Sequence, residues 1–184
     1  MGKAKVKRKA AVEQRILREL ADVEEGLRFL RCRCKIMRKA HKTAGMPPLR
    51  RSNPGFEGLA RIVVGQQLSI TSAAAIWSRT YAAIVPFEAE GLLALSDAEL
   101  RACGLSAGKI KTLRAIAETV AAGALDFAGL EGKSELEIKE ALTAIHGVGP
   151  WTADIYLMFC MGRADSFAPG DLALQEAVRI ALDL

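Results

Sequence analysis

Two helical patterns meet at Gly147-Val148-Gly149-Pro150, and this junction constrains the fold more than any other part of the 184-residue chain. Upstream, Ser134 with Glu137 three residues on is a capping-box signature. It opens a helix on which Leu136, Ile138, Leu142 and Ile145 share the buried side before His146-Gly147 ends it. Downstream, the fixed φ of Pro150 suits a first helical turn, and the pattern runs through Ala153, Leu157 and Phe159 to about Met161. Gly147 and Gly149 permit positive φ and close backbone approach. The N–H groups opening the second helix lack internal acceptors and sit at its positive end, which makes an anion seat fit for a phosphate. The same residues also fit a tight corner whose glycines serve geometry alone.

The rest of the chain reads the same way. Ala and Leu dominate, aromatic residues are 5% of the chain, and no segment of useful length alternates with strand period. The expected class is therefore all-α, as one domain or as two small helical lobes sharing a cleft. From Ala10 to about Leu30, Val12, Ile16, Leu20, Val23, Leu27 and Leu30 predict one helix packing its apolar face on the domain. Between Arg31 and Pro54 the periodicity fails, and Pro47, Pro48, Asn53 and Pro54 predict a loop or linker. Helices are expected from Phe56 to Val64, from Ser69 to about Ala83, from Ser96 to near Gly104, from Ser106 to about Ala122, and after Gly170.

Charge is divided unevenly. Residues 1–52 carry 16 Lys and Arg against 5 acids, and the remainder 10 against 16. Such an arm fits a polyanion, because its cations displace condensed counterions, and it equally fits a solvated tail. No apolar run is long enough to span a bilayer, and the basic N-terminus lacks the apolar core of a secretion signal. The expectation is a soluble intracellular protein, cytoplasmic or at the nucleoid, without a membrane partner. Cys32, Cys34, Cys103 and Cys160 show no metal-ligand spacing and are expected as free thiols.

Phe167-Ala168-Pro169-Gly170-Asp171 lies 22 residues beyond Gly149 and puts a carboxylate at the start of the last helix. Alone, Asp171 is best read as a helix cap. Together, Val64 to Ser69, Gly147 to Asp154 and Pro169 to Gln175 resemble the helix–hairpin–helix superfamily of DNA glycosylases, most of all its DNA-3-methyladenine glycosylase II type. The resemblance covers about Leu49 to Leu184. It implies a glycosylase domain over 49–184, with the hairpin at 142–154 and the catalytic loop at 167–175, and a basic N-terminal arm or helix over 1–48.

By that resemblance Asp171 is the catalytic carboxylate, stabilising positive charge on the sugar as the N-glycosidic bond breaks. Gly147, Val148, Gly149, Trp151 and Thr152 would meet DNA, and the carbonyls of Thr143, Ile145 and Val148 would hold a structural Na+ or K+. Gln66 and Gln67 sit where the family presents the side chain that replaces the flipped nucleotide, Gln67 being the wedge; two exposed polar turn residues are the other reading. Bifunctional relatives carry a Lys where this chain has Trp151, which implies a monofunctional enzyme leaving an abasic site. Trp151 would stack on cationic alkylated purines, 3-methyladenine and 7-methylguanine. Tyr156 would add a pocket wall, or else pack its helix together with Phe159. His146 stands where the family often has Pro and would touch phosphate.

The implied partner is double-stranded DNA containing alkylated bases, met by a monomer that requires no cofactor. No Cys follows Cys160, so no iron–sulfur cluster is expected. The chain stops 13 residues after Asp171, where family members continue with further helices; the expectation is a fold incomplete at its C-terminus, with exposed apolar surface. Two other readings remain: a non-enzymatic helix–hairpin–helix DNA-binding module, and a glycosylase for another lesion.

Overall fold

The computed structural model describes residues 14–184; the basic run at residues 3–9 and the expected helical residues Ala10 to Val12 lie outside them. The described residues form ten α-helices: α1 Leu20–Arg33, α2 Lys35–Ala44, α3 Gly55–Gly65, α4 Ile70–Ala83, α5 Ala89–Ala94, α6 Asp97–Ala102, α7 Ala107–Ala121, α8 Glu135–Thr143, α9 Pro150–Ile155 and α10 Leu172–Leu182. A short 3-10 turn, Ala128–Leu130, precedes α8, and α9 widens into a π-helical turn, Tyr156–Met161. An isolated bridge between Ile16 and Arg163 is the β-type pairing among the described residues.

The starts of these helices follow from local chemistry. The Ser96 and Ser134 hydroxyls accept the N–H groups of Glu99 and Glu137, and each glutamate carboxylate accepts its serine's N–H at 2.7 and 2.8 Å. Each reciprocal pair satisfies donors that a helix start leaves open. Ser69 and Ser106 cap α4 and α7 in the simpler, one-way fashion.

The core is built around α7, which packs on α3, α5 and α6, while α3 also meets α9 and the π turn. Leu59 and Val63 of α3, Leu92 of α5, Leu100 of α6, Leu113 and Ile116 of α7, and Ile138 and Leu142 of α8 are fully buried. Each such aliphatic side chain contributes about 1.5–3 kcal/mol on burial. Because α3 belongs to both contact sets, it fixes the α4–α7 lobe against the α8–α9 hairpin.

The N-terminal expectations need correction. Residues 14–17 are extended rather than helical: the Leu17 N–H donates to the Gly162 carbonyl at 2.8 Å, and the Ala164 N–H to Arg15 at 2.9 Å. The helix starts only at Leu20, because the Asp22 carboxylate accepts the N–H groups of Arg18 and Glu19 and ends the extended segment there. No residue of α1 is buried, and Leu20 and Leu30 of its expected buried face are exposed. The expected linker contains α2, which packs on α1 and α10. Helix α5 and the 3-10 turn also fall outside the sequence expectations. The described cysteines are all free, as expected, with Cys103 and Cys160 buried. No helix of the described residues is long and apolar enough to cross a membrane.

Candidate active site

The hairpin's shape depends on Gly147. Its φ is +83°, and a Cβ there would lie 2.0 Å from Thr112 Oγ1 on α7. Any side chain would therefore meet both backbone strain and a buried neighbour. The turn is closed by the Val148 N–H, which donates to Ile145 C=O at 3.1 Å, and Val148 is itself buried. Gly149 has ordinary negative φ and caps α9. The first N–H groups of α9, those of Trp151 and Thr152, have no acceptor within the helix, and His146 in the turn before them is exposed.

The two hairpin helices are held by an ion pair, Lys139 Nζ to Asp154 Oδ1 at 2.6 Å. Asp154 is 4% exposed, and no directed hydrogen bond reaches its Oδ1, so the lysine supplies charge rather than a well-aligned donor. Neither residue was expected from the sequence to matter, because pairing at this separation depends on how α8 crosses α9.

Beyond the π turn the chain reverses at Gly162, where φ is +72° and the Arg51 guanidinium packs against the bare Cα. Arg51 donates to Leu17 C=O at 3.0 Å and to Cys160 C=O at 3.2 Å. Arg163, 6% exposed, donates to the carbonyls of Glu131 and Lys133, and the Ser166 hydroxyl donates to Glu135 at 2.6 Å. Ala168 is buried, and the Gln175 amide reaches back to Pro169 C=O at 2.7 Å. The loop entering Asp171 is thus pinned at both ends while Phe167, Pro169 and Gly170 stay exposed.

Asp171 does two things at once. Its Oδ1 accepts the Leu174 N–H at 3.0 Å, capping α10, and its Oδ2 accepts the Trp151 indole N–H at 2.9 Å. The indole N–H first, and the Leu174 N–H second, hold the Asp171 carboxyl below the usual carboxylate range by favouring its charged form. The cap and the expected catalyst are therefore one group. The indole edge is committed to Asp171, and Trp151 itself remains partly exposed.

The other expected residues separate. Thr152 is 2% exposed, and its hydroxyl accepts the Gln66 amide at 2.8 Å, so these two side chains bridge α9 to the turn after α3. Only the Thr152 backbone is left for an outside partner. Gln67 next door is exposed and has φ +55°, a strained value for a residue with a side chain. That turn is supported from below by Lys109, whose Nζ donates to Val64 C=O at 2.7 Å and whose pKa is lowered by burial. Of the two readings of Tyr156, packing holds and the pocket wall is corrected: Tyr156 is 1% exposed, its hydroxyl accepts the Gly55 N–H at 2.8 Å, and its ring packs on Phe127. It is a core residue of the α9–α3 contact and lines no open wall. A groove of about 1240 Å³ among Arg15, Arg51, Glu135 and Arg163 includes neither Trp151 nor Asp171.

A family model, described as HhH-GPD superfamily base excision DNA repair protein, matches residues 60–181, which include the turn at Gln66-Gln67, the hairpin and Asp171. The chain belongs to this superfamily. A relative named DNA-3-methyladenine glycosylase 1, from Schizosaccharomyces pombe, is 35% identical over 128 residues, 67% of this chain and 56% of the relative. A Bacillus halodurans structure described as DNA-3-methyladenine glycosidase is 35% identical with TM-score 0.73, covering 86% of this chain and 74% of that one. The S. pombe 3-methyladenine DNA glycosylase in complex with abasic DNA is 28% identical with TM-score 0.77, over 87% and 81%. The two-lobed helical HhH-GPD fold is thereby established for this chain. The chain spans about half the length of the curated relatives it matches over more than 120 residues.

Proposed function

We propose that this chain is a DNA glycosylase of base excision repair, hydrolysing the N-glycosidic bond of 3-methyladenine and 7-methylguanine after the damaged nucleotide is flipped from the duplex. Residues 49–184 carry the glycosylase unit. The observation that carries the reading is the 2.9 Å hydrogen bond from the Trp151 indole to Asp171, with Asp171 also fixed as the cap of α10.

Bond breaking builds positive charge on the sugar, and a carboxylate that stays ionised and oriented stabilises it without reorganising. With its pKa held down, Asp171 is fully charged at neutral pH and orients the attacking water. The partly exposed Trp151 ring, edge-anchored on the carboxylate, offers a π face to a flipped cationic purine, worth roughly 0.5–2 kcal/mol. The backbone donors opening α9 receive a phosphate, with Gly147, Val148 and Gly149 setting the approach. Gln67 fills the vacated stack while Gln66 holds its turn to α9.

The Ile145 C=O, which accepts the Val148 N–H at 3.1 Å, and the carbonyls of Thr143 and Val148 would, by the family pattern, hold a monovalent cation beside that phosphate. Such an ion would supply charge neutralisation and no chemistry. No iron–sulfur cluster and no other cofactor enters the reaction. Position 151 offers no amine, so the reading is a monofunctional hydrolase of the DNA-3-methyladenine glycosylase II type, acting as a monomer wherever the cell's DNA lies, cytoplasm or nucleoid.

The test is release of 3-methyladenine and 7-methylguanine from methylated duplex. The chain is expected to release both and to leave alkali-sensitive sites. Asp171→Asn is expected to lower release at least about 10²- to 10³-fold with duplex binding retained. Near-normal release by this variant overturns the assignment, and binding without release by the parent chain favours the non-enzymatic module. An efficient borohydride-trapped adduct would overturn the monofunctional reading.

A further inference from the structure

The α1–α2 pair carries a charge pattern that the site above does not use. From Arg28 to Lys42 the sequence holds seven cations, Arg28, Arg31, Arg33, Lys35, Arg38, Lys39 and Lys42, and no acid. All seven are exposed. None has a carboxylate partner among the described residues. Two of the acids of α1 are engaged elsewhere, since Asp22 takes the N–H groups that open the helix and Glu25 pairs with Arg15. Two guanidiniums are held in fixed positions: Arg38 donates to Arg31 C=O at 3.0 and 3.1 Å, and Arg33 lies 3.6 Å over the Phe29 ring.

We infer that α1 and α2 form a second, sequence-independent contact for the phosphate backbone of duplex DNA, outside the hairpin. Seven cations on two short helices, none with an ion-pair partner among the described residues, repel one another, so the surface gains most from a partner of dense negative charge. Helix α2 is about 15 Å long, a length of duplex axis carrying roughly nine phosphate charges. It packs on α10, the helix capped by Asp171, so the basic helix adjoins the element that carries the reacting carboxylate. Its role is capture and retention of undamaged duplex during search, with no part in bond breaking. The inference rests on the reading of DNA as the partner.

The experiment compares the full chain with a Lys35→Gln, Arg38→Gln, Lys39→Gln, Lys42→Gln variant and, independently, an Arg28→Gln, Arg31→Gln variant, each checked by circular dichroism for parental helicity. Affinity for undamaged duplex is measured across salt concentrations, and methylated-base release is measured in single turnover at saturating enzyme. The fourfold variant is expected to bind about 10-fold or more weakly, with the log–log salt slope shallower by up to about 3.6, roughly 0.9 per phosphate contact, and with single-turnover release unchanged. A variant exchanging Lys for Arg and Arg for Lys at the same four positions is expected to keep the parental slope. Unchanged affinity and slope in both Gln variants overturn the inference. It is equally overturned if vesicles of phosphatidylserine and phosphatidylcholine bind through these residues while duplex binding ignores them. Variant-sensitive binding by a parent that releases no base overturns the catalytic reading alone; base release with an insensitive slope overturns this one alone.

Discussion

At the scale of single residues, the hydrogen bond between Trp151 and Asp171 decides most. Replacing Trp151 with Phe keeps an aromatic face and removes the donor. The Trp151 N–H lowers the Asp171 pKa by stabilising its anion, so its loss raises that pKa. The acid limb of the pH profile for kcat/KM of base release is therefore expected to move to higher pH in Trp151→Phe, with kcat lowered at every pH. An unmoved acid limb would show that the indole does not tune the carboxylate. Gln66 and Gln67 differ in the same local way: Gln66 is tied to Thr152, whereas Gln67 is exposed at positive φ. Gln67→Ala is expected to weaken flipping, read as slower single-turnover release, while Gln67→Gly relieves the backbone strain and raises the melting temperature.

Among elements, the α8–α9 hairpin is the piece whose geometry sets everything near it. Gly147→Ala places a methyl group against Thr112 at a φ that alanine resists, and should cost roughly 1–3 kcal/mol or more in denaturant unfolding. Pairing it with Thr112→Ala removes the steric part and leaves the cost in φ, so only partial recovery is expected. Lys139→Met leaves the Asp154 carboxylate buried without its countercharge. The lysine is 36% exposed, so the expected loss is about 2 kcal/mol, below the ~3–5 kcal/mol of a fully buried pair. Adding Asp154→Leu should restore most of it, and a double variant no more stable than Lys139→Met would refute the ion-pair account.

Across the whole molecule, the N-terminal segment and the chain reversal after the π turn are linked through Arg51. Its guanidinium joins Leu17 to Cys160 over Gly162, and the segment 14–17 pairs with residues 162–164. Arg51→Ala is expected to raise amide hydrogen exchange at Leu17 and Ala164 while α3 and α7 keep parental protection. Uniform loss of protection would place Arg51 in the global core instead. The three peripheral helices α1, α2 and α10 contain no buried residue, and Leu172, Ile180 and Leu184 are exposed. Stability is consequently concentrated in α3–α9.

How much of this was legible in the sequence follows from the range of the interactions. The capping boxes at Ser96 and Ser134, the caps at Ser69 and Ser106 and Pro150 at a helix start are local, acting within one turn, and residue order alone determined those helices and the all-α class, although Leu136, expected on the buried side of α8, is exposed. The hairpin and the cap of the last helix were readable because glycines and a capping carboxylate declare their backbone roles locally, whereas the link between them came from the family resemblance alone. Tertiary structure alone decided the rest. Ile16 fits a helical face yet lies in an extended segment, because its neighbours Arg15 and Leu17 hydrogen-bond to Ala164 and Gly162 across a bridge that sets Ile16 opposite Arg163, 147 residues away. Tyr156 sits five residues beyond Trp151 in sequence but points into the core, because the Gly55 N–H meets its hydroxyl there. Lys139 with Asp154, Lys109 with Val64 and the indole of Trp151 with Asp171 join groups distant in the chain. Whether such groups meet depends on how helices cross, which no local pattern encodes.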